Sequence, residues 1–427
     1  MKKTLSLLVA LLLVASLFSF SAAAEEPITL KWAMWDYNST AYYKAIADAY
    51  KEANPNVTIE FVDLGSADYN ASLTTQLTGG ESYDLISVKD TPCYMLLIDG
   101  EHIIDLTEYI AASEVRHATA YDGPYTYEGK LYQLPWRADP WALFYNKDMF
   151  DAIGVEYPKL GITFPEYDAL VKEVGDKLAQ LPSDSPYAGK KATFYHGWRS
   201  TIQMFSMTPY GESSTLFLGG GYEFLRPYYE AILAQMENGY ALTWPDATAI
   251  GARYDNNFVS QDFAMTNMGT WLVTNILSKE GYGSFEWGIT SYPVAEGVDK
   301  QVTPATATGI AVASASTKKD AAFEFAAWLA GPEGAAVLAG TGAFTAYVDE
   351  NVADILFSAP GFPQDEVSKK AVAPDIAFIE QPILAGATQL SAALDLGNNA
   401  IMKEGASIDE GLAIMSEGVA DVLAGLE

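Results

Sequence analysis

The segment Leu134–Phe150, LPWRADPWALFYNKDMF, decides how the rest of the chain is interpreted. It contains two tryptophans, an arginine, an aspartate and two prolines: Trp136, Trp141, Arg137, Asp139, Pro135 and Pro140. The apolar run 141–145 has strand composition, and the two prolines predict that pairing is limited before it. Large aromatic side chains beside a fixed charge pair suit a polar ligand with apolar faces, such as a sugar ring. An ordinary core strand with a neighbouring surface ion pair is the alternative.

The first residues, MKKTLSLLVALLLVASLFSFSAAAEE, have the three parts of an export signal. Lys2 and Lys3 form a basic start, residues 5–20 an apolar core, and Ala22–Ala24 a cleavage site. The apolar core is short for a membrane span, so an uncleaved anchor is the less favoured interpretation. We therefore expect a signal peptide over residues 1–24 and an exported mature protein, periplasmic or extracellular. No cysteine lies in or near this segment, so attachment through a lipid-bearing cysteine is not expected.

The composition excludes some classes of partner. The chain has 427 residues, enough for two or three domains, and 55 acidic against 25 basic residues give a net charge of −30. This field repels nucleic acid and anionic membranes, so neither is an expected partner. The single cysteine, Cys93, cannot form an intramolecular disulfide, and stability must come from the core.

The N-terminal part predicts alternating strands and helices. The strands are expected at 29–35, 57–61 and 83–88, with helices at 40–53 and 68–77 between them. This β-α-β-α-β order implies parallel strands with right-handed crossovers, and ligands gather beyond the carboxyl ends of such strands. We therefore expect Trp35 and Asp36 to lie near Asp90 and Thr91. A packed aromatic and a charge at a helix N-terminus are the alternative for the first two.

Later segments predict further elements with less regular alternation. Thr163 and Glu166 have the spacing of a capping box, which predicts a helix to about residue 181. A second aromatic and basic cluster lies at Tyr195–Arg199. Strands are expected at 285–289 and 308–312, and the part of the chain beyond residue 317 is expected to be mostly helical.

No catalytic signature survives inspection. The histidines His102, His117 and His196 lack metal-ligand spacing, so no metal site is expected. Ser316–Lys319 fits the short S-x-x-K pattern, which is common by chance and here precedes a predicted helix. No cofactor is expected, because dinucleotide and nucleotide fingerprints are absent from the sequence. Carboxylates are plentiful and a glycosidase needs only two, so a hydrolase stays open at this point.

Four sequence pieces, in this order and behind an export signal, carry a family resemblance. They are Asn54-Pro55-Asn56-Val57; Gly79-Gly80 through Tyr83-Asp84-Leu85-Ile86; Gly129 to Pro135 leading to Tyr145-Asn146-Lys147-Asp148; and Ala264-Met265 with Gly269-Thr270-Trp271. The chain resembles the extracellular solute-binding proteins of ATP-binding-cassette importers, in the family that includes maltose-binding protein. The similarity extends from about Thr29 to Tyr347.

The resemblance implies an α/β fold of two lobes, the type II periplasmic-binding-protein fold. Each lobe would be a mainly parallel sheet flanked by helices, with lobe I at 25–136 and 290–345 and lobe II at 137–289 and 346–427. The chain would pass between the lobes near 135–139, 287–292 and 344–348. The protein would then be a monomer that binds an oligosaccharide in the interlobe cleft, without catalysis, and delivers it to an ABC transporter permease.

The resemblance also implies site residues. Trp35 and Asp36 match a first-strand contact loop, Asp139 lies near a hinge acid, and Trp271 matches a tryptophan that commonly stacks on the sugar. A last aromatic contact is expected near residues 378–383. The full set of candidate ligand contacts is Trp35, Asp36, Asp90, Thr91, Trp136, Arg137, Asp139, Trp198, Arg199, Trp271 and Gly309.

The expected mechanism is reversible capture of a neutral carbohydrate by hinge closure. Two alternatives stay open. The same fold could bind a peptide, polyamine or other small cation, which an acidic cleft with aromatic rings also suits. A secreted glycosidase is the other alternative.

Overall fold

The computed structural model describes residues 26–278 and 282–426, so the predicted signal peptide lies outside the described residues. The strands within that part of the chain are β1 Ile28–Met34, β2 Val57–Asp63, β3 Leu85–Val88, β4 Leu134–Asn146, β5 Lys191–Phe194, β6 Phe263–Gly269, β7 Trp287–Ser291, β8 Val302–Val312 and β9 Ile376–Ile379.

Helices alternate with these strands along the chain. Those in the first half of the chain are α1 Tyr42–Ala53, α2 Tyr69–Thr78, α3 Thr91–Asp99, α4 Thr107–Ala112, α5 Asp122–Tyr125, α6 Lys147–Ile153, α7 Phe164–Ala179 and α8 Ser200–Gln203. Those in the second half are α9 Ser214–Leu218, α10 Arg226–Glu237, α11 Trp244–Ala249, α12 Tyr254–Val259, α13 Trp271–Leu277, α14 Lys319–Ala330, α15 Pro332–Ala339, α16 Glu350–Phe357, α17 Glu366–Ala371, α18 Ala387–Met402 and α19 Ile408–Leu426.

The predicted N-terminal β-α-β-α-β unit is present. β1 lies between β2 and β3 and is parallel to both, so the carboxyl ends of the three strands share one edge. Trp32 on β1 anchors this region, because its indole Nε1 donates a hydrogen bond of 2.8 Å to Ser87 Oγ on β3. We call this part of the molecule, with the adjoining β8, lobe I.

The quoted segment forms one strand, β4, that belongs to two sheets. Residues 134–140 pair with β8, whereas residues 141–146 pair with β6 and β7. Before Trp141 the strand therefore has one partner rather than two, in agreement with the prediction that the prolines limit pairing there. Pro140 lies opposite Ala305, and a register irregularity beside Pro135 accommodates the missing N–H donor.

β4 consequently connects lobe I to a second body, lobe II, which contains β5, β6 and β7. The two tryptophans of β4 show this connection, since Trp136 packs in the core of lobe I and Trp141 packs in the core of lobe II. β4 changes its pairing partner from β8 to β6 between Pro140 and Trp141. The predicted lobe boundaries at 136/137, 289/290 and 345/346 stay a proposal.

The sheets are mixed rather than mainly parallel. Parallel pairing holds for β1 with β2 and β3, for β5 with β6, and for β8 with β9. β8 is antiparallel to β3, and β4 is antiparallel to β6, β7 and β8. The difference arises because the strands shared by the lobes run opposite to their neighbours, which sequence periodicity does not encode.

Two predictions from local sequence concern the start of α7 and the C-terminal part of the chain. The capping box at α7 is present, with Glu166 accepting the Thr163 backbone N–H at 2.9 Å. The C-terminal part is mostly helical as expected, but it also contains the short strand β9, which the sequence reading missed. Among the described residues, none of the helices combines the length and apolar character that crossing a bilayer requires.

Candidate functional site

The loop after β1 presents Asp36 at the carboxyl edge of the lobe I sheet. Asp36 has a left-handed backbone, with φ of 57°, a conformation that aspartate tolerates better than most residues. The carboxylate of Asp63, which ends the neighbouring β2, accepts the backbone N–H groups of Asp36 and Tyr37, both at 3.0 Å. The parallel pairing of β1 with β2 therefore sets the position of this loop.

Trp35 lies beneath that loop rather than on the surface. Its side chain is 7% exposed, and its ring centroid is 4.9 Å from that of Tyr69. Lys89, which follows β3, places Nζ 5.6 Å from the Trp35 ring centroid. Burial lowers the pKa of Lys89, and the charges of Asp90 and Asp36 oppose that effect. Lys89 and Asp36 are thus electrostatic neighbours at the same edge.

Asp90 and Thr91 lie at this edge as predicted, but their polar atoms have partners within the protein. Asp90 caps α3, accepting Cys93 N at 2.8 Å and Asn70 Nδ2 at 3.0 Å. The buried hydroxyl of Thr91 donates to the backbone oxygen of Gln381 at 2.7 Å. These contacts order the end of β3 and the start of α3. Asp90 and Thr91 therefore have a structural role, whether or not they also contact a ligand.

Lobe II contributes four neighbouring rings, which we call the aromatic set: His196, Trp198, Tyr254 and Trp271. Ring centroids of Trp198 lie 4.3 Å from His196, 5.8 Å from Tyr254 and 6.3 Å from Trp271. Trp198 is 41% exposed, whereas Trp271 is partly buried and packs edge-on against Trp141 at 5.7 Å. An exposed indole supported by three rings is a preformed apolar platform for a ligand.

Neighbouring charges influence the aromatic set. Burial lowers the pKa of His196 to about 4, and the nearby Arg253 guanidinium adds to this effect. His196 is therefore neutral near pH 7. Burial raises the pKa of Tyr254 to about 12, with the carboxylates of Asp255 and Asp36 contributing in the same direction.

The charge of Asp36 in lobe I contributes to the raised pKa of Tyr254 in lobe II. Asp36 also contributes to the raised pKa of Arg253, after burial, which lowers that pKa, and Asp255, which raises it. Arg253 in turn lies 5.7 Å from the Tyr254 ring centroid and forms an ion pair of 3.1 Å with Asp255. Of the predicted residues, the structure brings the rings of Trp198 and Trp271 into contact.

Trp136 does not fit its predicted stacking role. Its side chain is 1% exposed, and its ring packs against Trp32 at 5.9 Å and Tyr42 at 5.8 Å. No ring face is open to a ligand in this structure, because the first half of β4 directs Trp136 into the lobe I core. Trp141, the other tryptophan of β4, is also 1% exposed, so neither offers a free ring face.

Arg137 and Asp139 form a buried ion pair. Arg137 Nε lies 2.9 Å from Asp139 Oδ2, and Asp139 is 1% exposed. Burial raises the pKa of the Asp139 carboxyl, and the Arg137 guanidinium opposes that rise. Arg137 also donates to the hydroxyl of Tyr42. The charge pair that the sequence displays is therefore occupied by contacts at the junction between the lobes.

Arg199 and Gly309 are also accounted for by contacts inside the protein. Arg199 is 4% exposed, forms an ion pair of 3.2 Å with Asp395, and donates to Ser391 at 3.0 Å. A Cβ on Gly309 would lie 1.7 Å from Gln133 Oε1, so glycine is required there by packing. The predictions that these two residues contact ligand are not supported by this geometry.

Several residues near the site were missed by the sequence reading. Lys89 could have been found, because it directly precedes Asp90 at the end of β3. Arg253 and Tyr254 at the start of α12 carried no motif, and only the tertiary structure brings Tyr254 beside Trp198. In the segment expected to hold a last aromatic contact, Glu380 accepts the Thr306 hydroxyl at 3.0 Å. Burial raises the pKa of Glu380.

A family comparison identifies the class of protein. The model of the bacterial extracellular solute-binding proteins matches residues 36–336, which is more than half of the chain. The chain belongs to this family. The resemblance drawn from the four sequence pieces is thereby confirmed, together with the two-lobe type II fold.

Particular relatives give the scale of that similarity. A sugar transporter from Rhizobium etli, solved in an open conformation, is 36% identical with a TM-score of 0.77, covering 92% of this chain and 99% of that one. An ABC substrate-binding protein from Listeria monocytogenes in complex with cycloalternan is 18% identical with a TM-score of 0.78, covering 93% and 100%. UgpB from Mycobacterium tuberculosis in complex with glycerophosphocholine is 16% identical with a TM-score of 0.72, covering 94% and 99%. The last two similarities concern the fold.

Curated relatives match a shorter stretch. Putative binding proteins from Brucella abortus and Brucella suis are 27% identical over 152 residues, which is 35% of this chain and 36% of each relative. The chain spans about a third of the length of the curated relatives that it matches.

Proposed function

We propose that this solute-binding protein captures a neutral carbohydrate, namely an oligosaccharide, between its two lobes and delivers it to an ABC transporter permease outside the cytoplasmic membrane. The observation that carries the proposal is the aromatic set, in which the half-exposed Trp198 stands beside Trp271. The Rhizobium etli relative is a sugar transporter, which supports the same ligand class.

The proposed contacts divide into apolar and polar groups. Trp198 and Trp271 offer ring faces to the apolar face of a sugar, and one such contact contributes roughly 1 kcal/mol. Asp36, Lys89 and Arg253 are the charged groups that bond sugar hydroxyls. Unmatched hydroxyls or unmatched charges in a closed site are costly, and this provides the specificity.

Closure of the lobes retains the ligand. A ligand stabilises the closed arrangement only to the extent that its contacts are better there than in the open arrangement. Asp36 and Lys89 belong to lobe I and the aromatic set to lobe II, so a sugar that touches both bodies meets this condition. The protein acts as a monomer that binds and releases solute without chemical change.

A cationic ligand is the second candidate, since aromatic rings and carboxylates also suit a cation. One observation favours the neutral carbohydrate. The protein's own cations already lie near two of the rings, with Lys89 5.6 Å from Trp35 and Arg253 5.7 Å from Tyr254. Salt discriminates between the two classes, because screening weakens the binding of a charged ligand and barely changes that of a neutral one.

Thermal-shift screening tests the proposal directly. The panel contains maltotriose, cycloalternan, other neutral oligosaccharides, a polyamine and a short peptide. A ligand that binds the folded state raises the melting temperature, so at least one oligosaccharide is expected to do so while the polyamine and peptide do not. A shift by the polyamine alone, with a strong salt dependence, would overturn the carbohydrate assignment.

Product analysis addresses the hydrolase alternative. The mature protein is incubated with the oligosaccharides that raise its melting temperature, and the sugars are then separated by chromatography. Intact ligand is the expected result. Release of shorter sugars above a protein-free control would contradict a purely binding function.

A further inference from the structure

The buried pair Arg137–Asp139 lies where β4 passes from one sheet to the other. Asp139 is opposite Thr306 of β8, Pro140 is opposite Ala305, and the next residue of β4 already pairs with β6. Relative motion of the lobes therefore has its pivot beside this carboxylate.

On the lobe I side, the pair is held by α1. Arg137 donates to the hydroxyl of Tyr42, and its guanidinium lies 5.6 Å from the Tyr42 ring centroid and 5.8 Å from that of Trp136. Tyr42 is 2% exposed, so the guanidinium is fixed in the lobe I core. Asp139 shares this constraint through its ion pair of 2.9 Å with Arg137.

On the lobe II side, Asp139 contacts the residue that precedes a member of the aromatic set. Thr270 Oγ1 donates to Asp139 Oδ1 at 3.3 Å, and the Thr270 backbone N–H donates to Pro140 O at 3.0 Å. Trp271 follows at the start of α13. Tyr42, Arg137, Asp139 and Thr270 thus form a continuous chain of polar contacts from the lobe I core to the base of Trp271.

The hydroxyl contact in that chain is long. Hydrogen bonds from a hydroxyl to a carboxylate are typically about 2.5–2.7 Å between oxygens. At 3.3 Å, the Thr270–Asp139 bond has room to shorten, and Asp139 is held from the other side by Arg137. A rotation of lobe II about the Pro140–Trp141 junction changes this distance more directly than it changes the contacts within either core.

We propose that Asp139 and Thr270 are positioning residues that couple the angle between the lobes to the placement of Trp271. Their hydrogen bond strengthens in one lobe arrangement and weakens in the other, so it biases the equilibrium between them before any ligand binds. The inference rests on the proposed function in taking the lobes to have an open and a closed arrangement and Trp271 to be a ligand contact.

The test measures the lobe angle without ligand, so that its outcome is separate from that of the carbohydrate assignment. Nitroxide labels are attached at Glu52→Cys on α1 and Glu173→Cys on α7, two exposed positions in different lobes. Cys93 is fully buried, and labelled protein without the two new cysteines serves as the background control. Pulsed electron–electron double resonance then gives the distribution of distances between the lobes.

Thr270→Val removes the hydroxyl and keeps the shape, and Thr270→Ser keeps the hydroxyl. We expect Thr270→Val to change the ratio of the two lobe populations by about five-fold, as loss of one hydrogen bond implies, and Thr270→Ser to retain the original distribution. Asp139→Asn, which weakens the same bond from the other partner, is expected to change the distribution in the same direction as Thr270→Val.

Two results would overturn the inference. One is an unchanged distance distribution in both Thr270→Val and Asp139→Asn. The other is an equal change in Thr270→Val and Thr270→Ser, which would assign the effect to packing of the methyl group.

Discussion

The rings of Trp198 and Trp271 lie 6.3 Å apart at 67° to one another, although Trp198 precedes the short helix α8 and Trp271 begins α13. Trp271 is supported from behind by Trp141, while Trp198 keeps 41% of its surface exposed. The pair is therefore anchored on one side and open on the other. This combination distinguishes it from the fully packed Trp136.

Because Trp198 is exposed, its substitution should change ligand affinity more than the free energy of unfolding. Trp198→Ala is expected to weaken binding of the oligosaccharide identified by the thermal-shift panel about five-fold, because one stacking contact is lost. Isothermal titration calorimetry measures this change. Tyr157→Ala is the matched control, since Tyr157 is also 41% exposed but packs with Tyr145 and Phe150 away from the aromatic set. An equal loss of affinity in both variants would remove Trp198 from the site.

His196 makes folding sensitive to acid. Burial lowers its pKa from 6.5 to about 4, so the folded protein binds fewer protons at this position than the unfolded chain between those values. The free energy of unfolding therefore falls as the pH drops from about 6.5 to about 4, by up to about 3 kcal/mol from this residue. Urea unfolding of His196→Gln across this window is expected to show a shallower decrease than the original protein. Parallel decreases would exclude His196 as the source.

Arg199 is expected to act on stability rather than on ligand affinity. Arg199→Met leaves Ser391, Gln203 and Asp395 without their guanidinium partner and lowers the free energy of unfolding by about 2 kcal/mol. Arg226→Met is the comparison, because Arg226 pairs with Glu223 and Asp409 at the surface and its loss should have no measurable effect. Denaturant unfolding gives both values. A large loss of ligand affinity in Arg199→Met, at unchanged stability, would restore the contact role predicted from the sequence.

Gly309 provides a test of the packing between β4 and β8, where it lies opposite Pro135. Gly309→Ala places a methyl group against the fully buried side chain of Gln133, so that side chain or the strands must shift. The expected cost is about 1–3 kcal/mol of unfolding free energy. Gly123→Ala is the control, since a Cβ there meets no atom within 4 Å. Equal melting temperatures for the two variants would show that the strands relax around the methyl group.

The N-terminal β-α-β-α-β unit and the capping box of α7 were predictable because each depends on residues close together in sequence. Hydrophobic alternation, a Thr–Glu spacing and the glycines after α2 are sufficient for them. The placement of Asp36 at the carboxyl edge followed from the parallel topology. The family was likewise recognisable from the order of short sequence pieces, and the family match confirms it.

The functions of β4 and of its charged residues were not predictable in the same way. Trp136 and Trp141 are the same residue type on the same strand, yet they pack in different lobes. The reason is that β4 changes its pairing partner between them. Arg137 and Asp139 have the composition of a ligand site, but Tyr42 and Thr270 occupy them through contacts that span much of the chain.

The sequence by itself determined the α/β class, the family and the position of the first contact loop, because these depend on local periodicity and short motifs. Only the tertiary structure decided which aromatic and charged side chains remain open to a ligand. Burial and pairing are properties of contacts between distant segments, such as Arg137 with Tyr42 and Trp198 with Trp271, and a residue's type does not specify them.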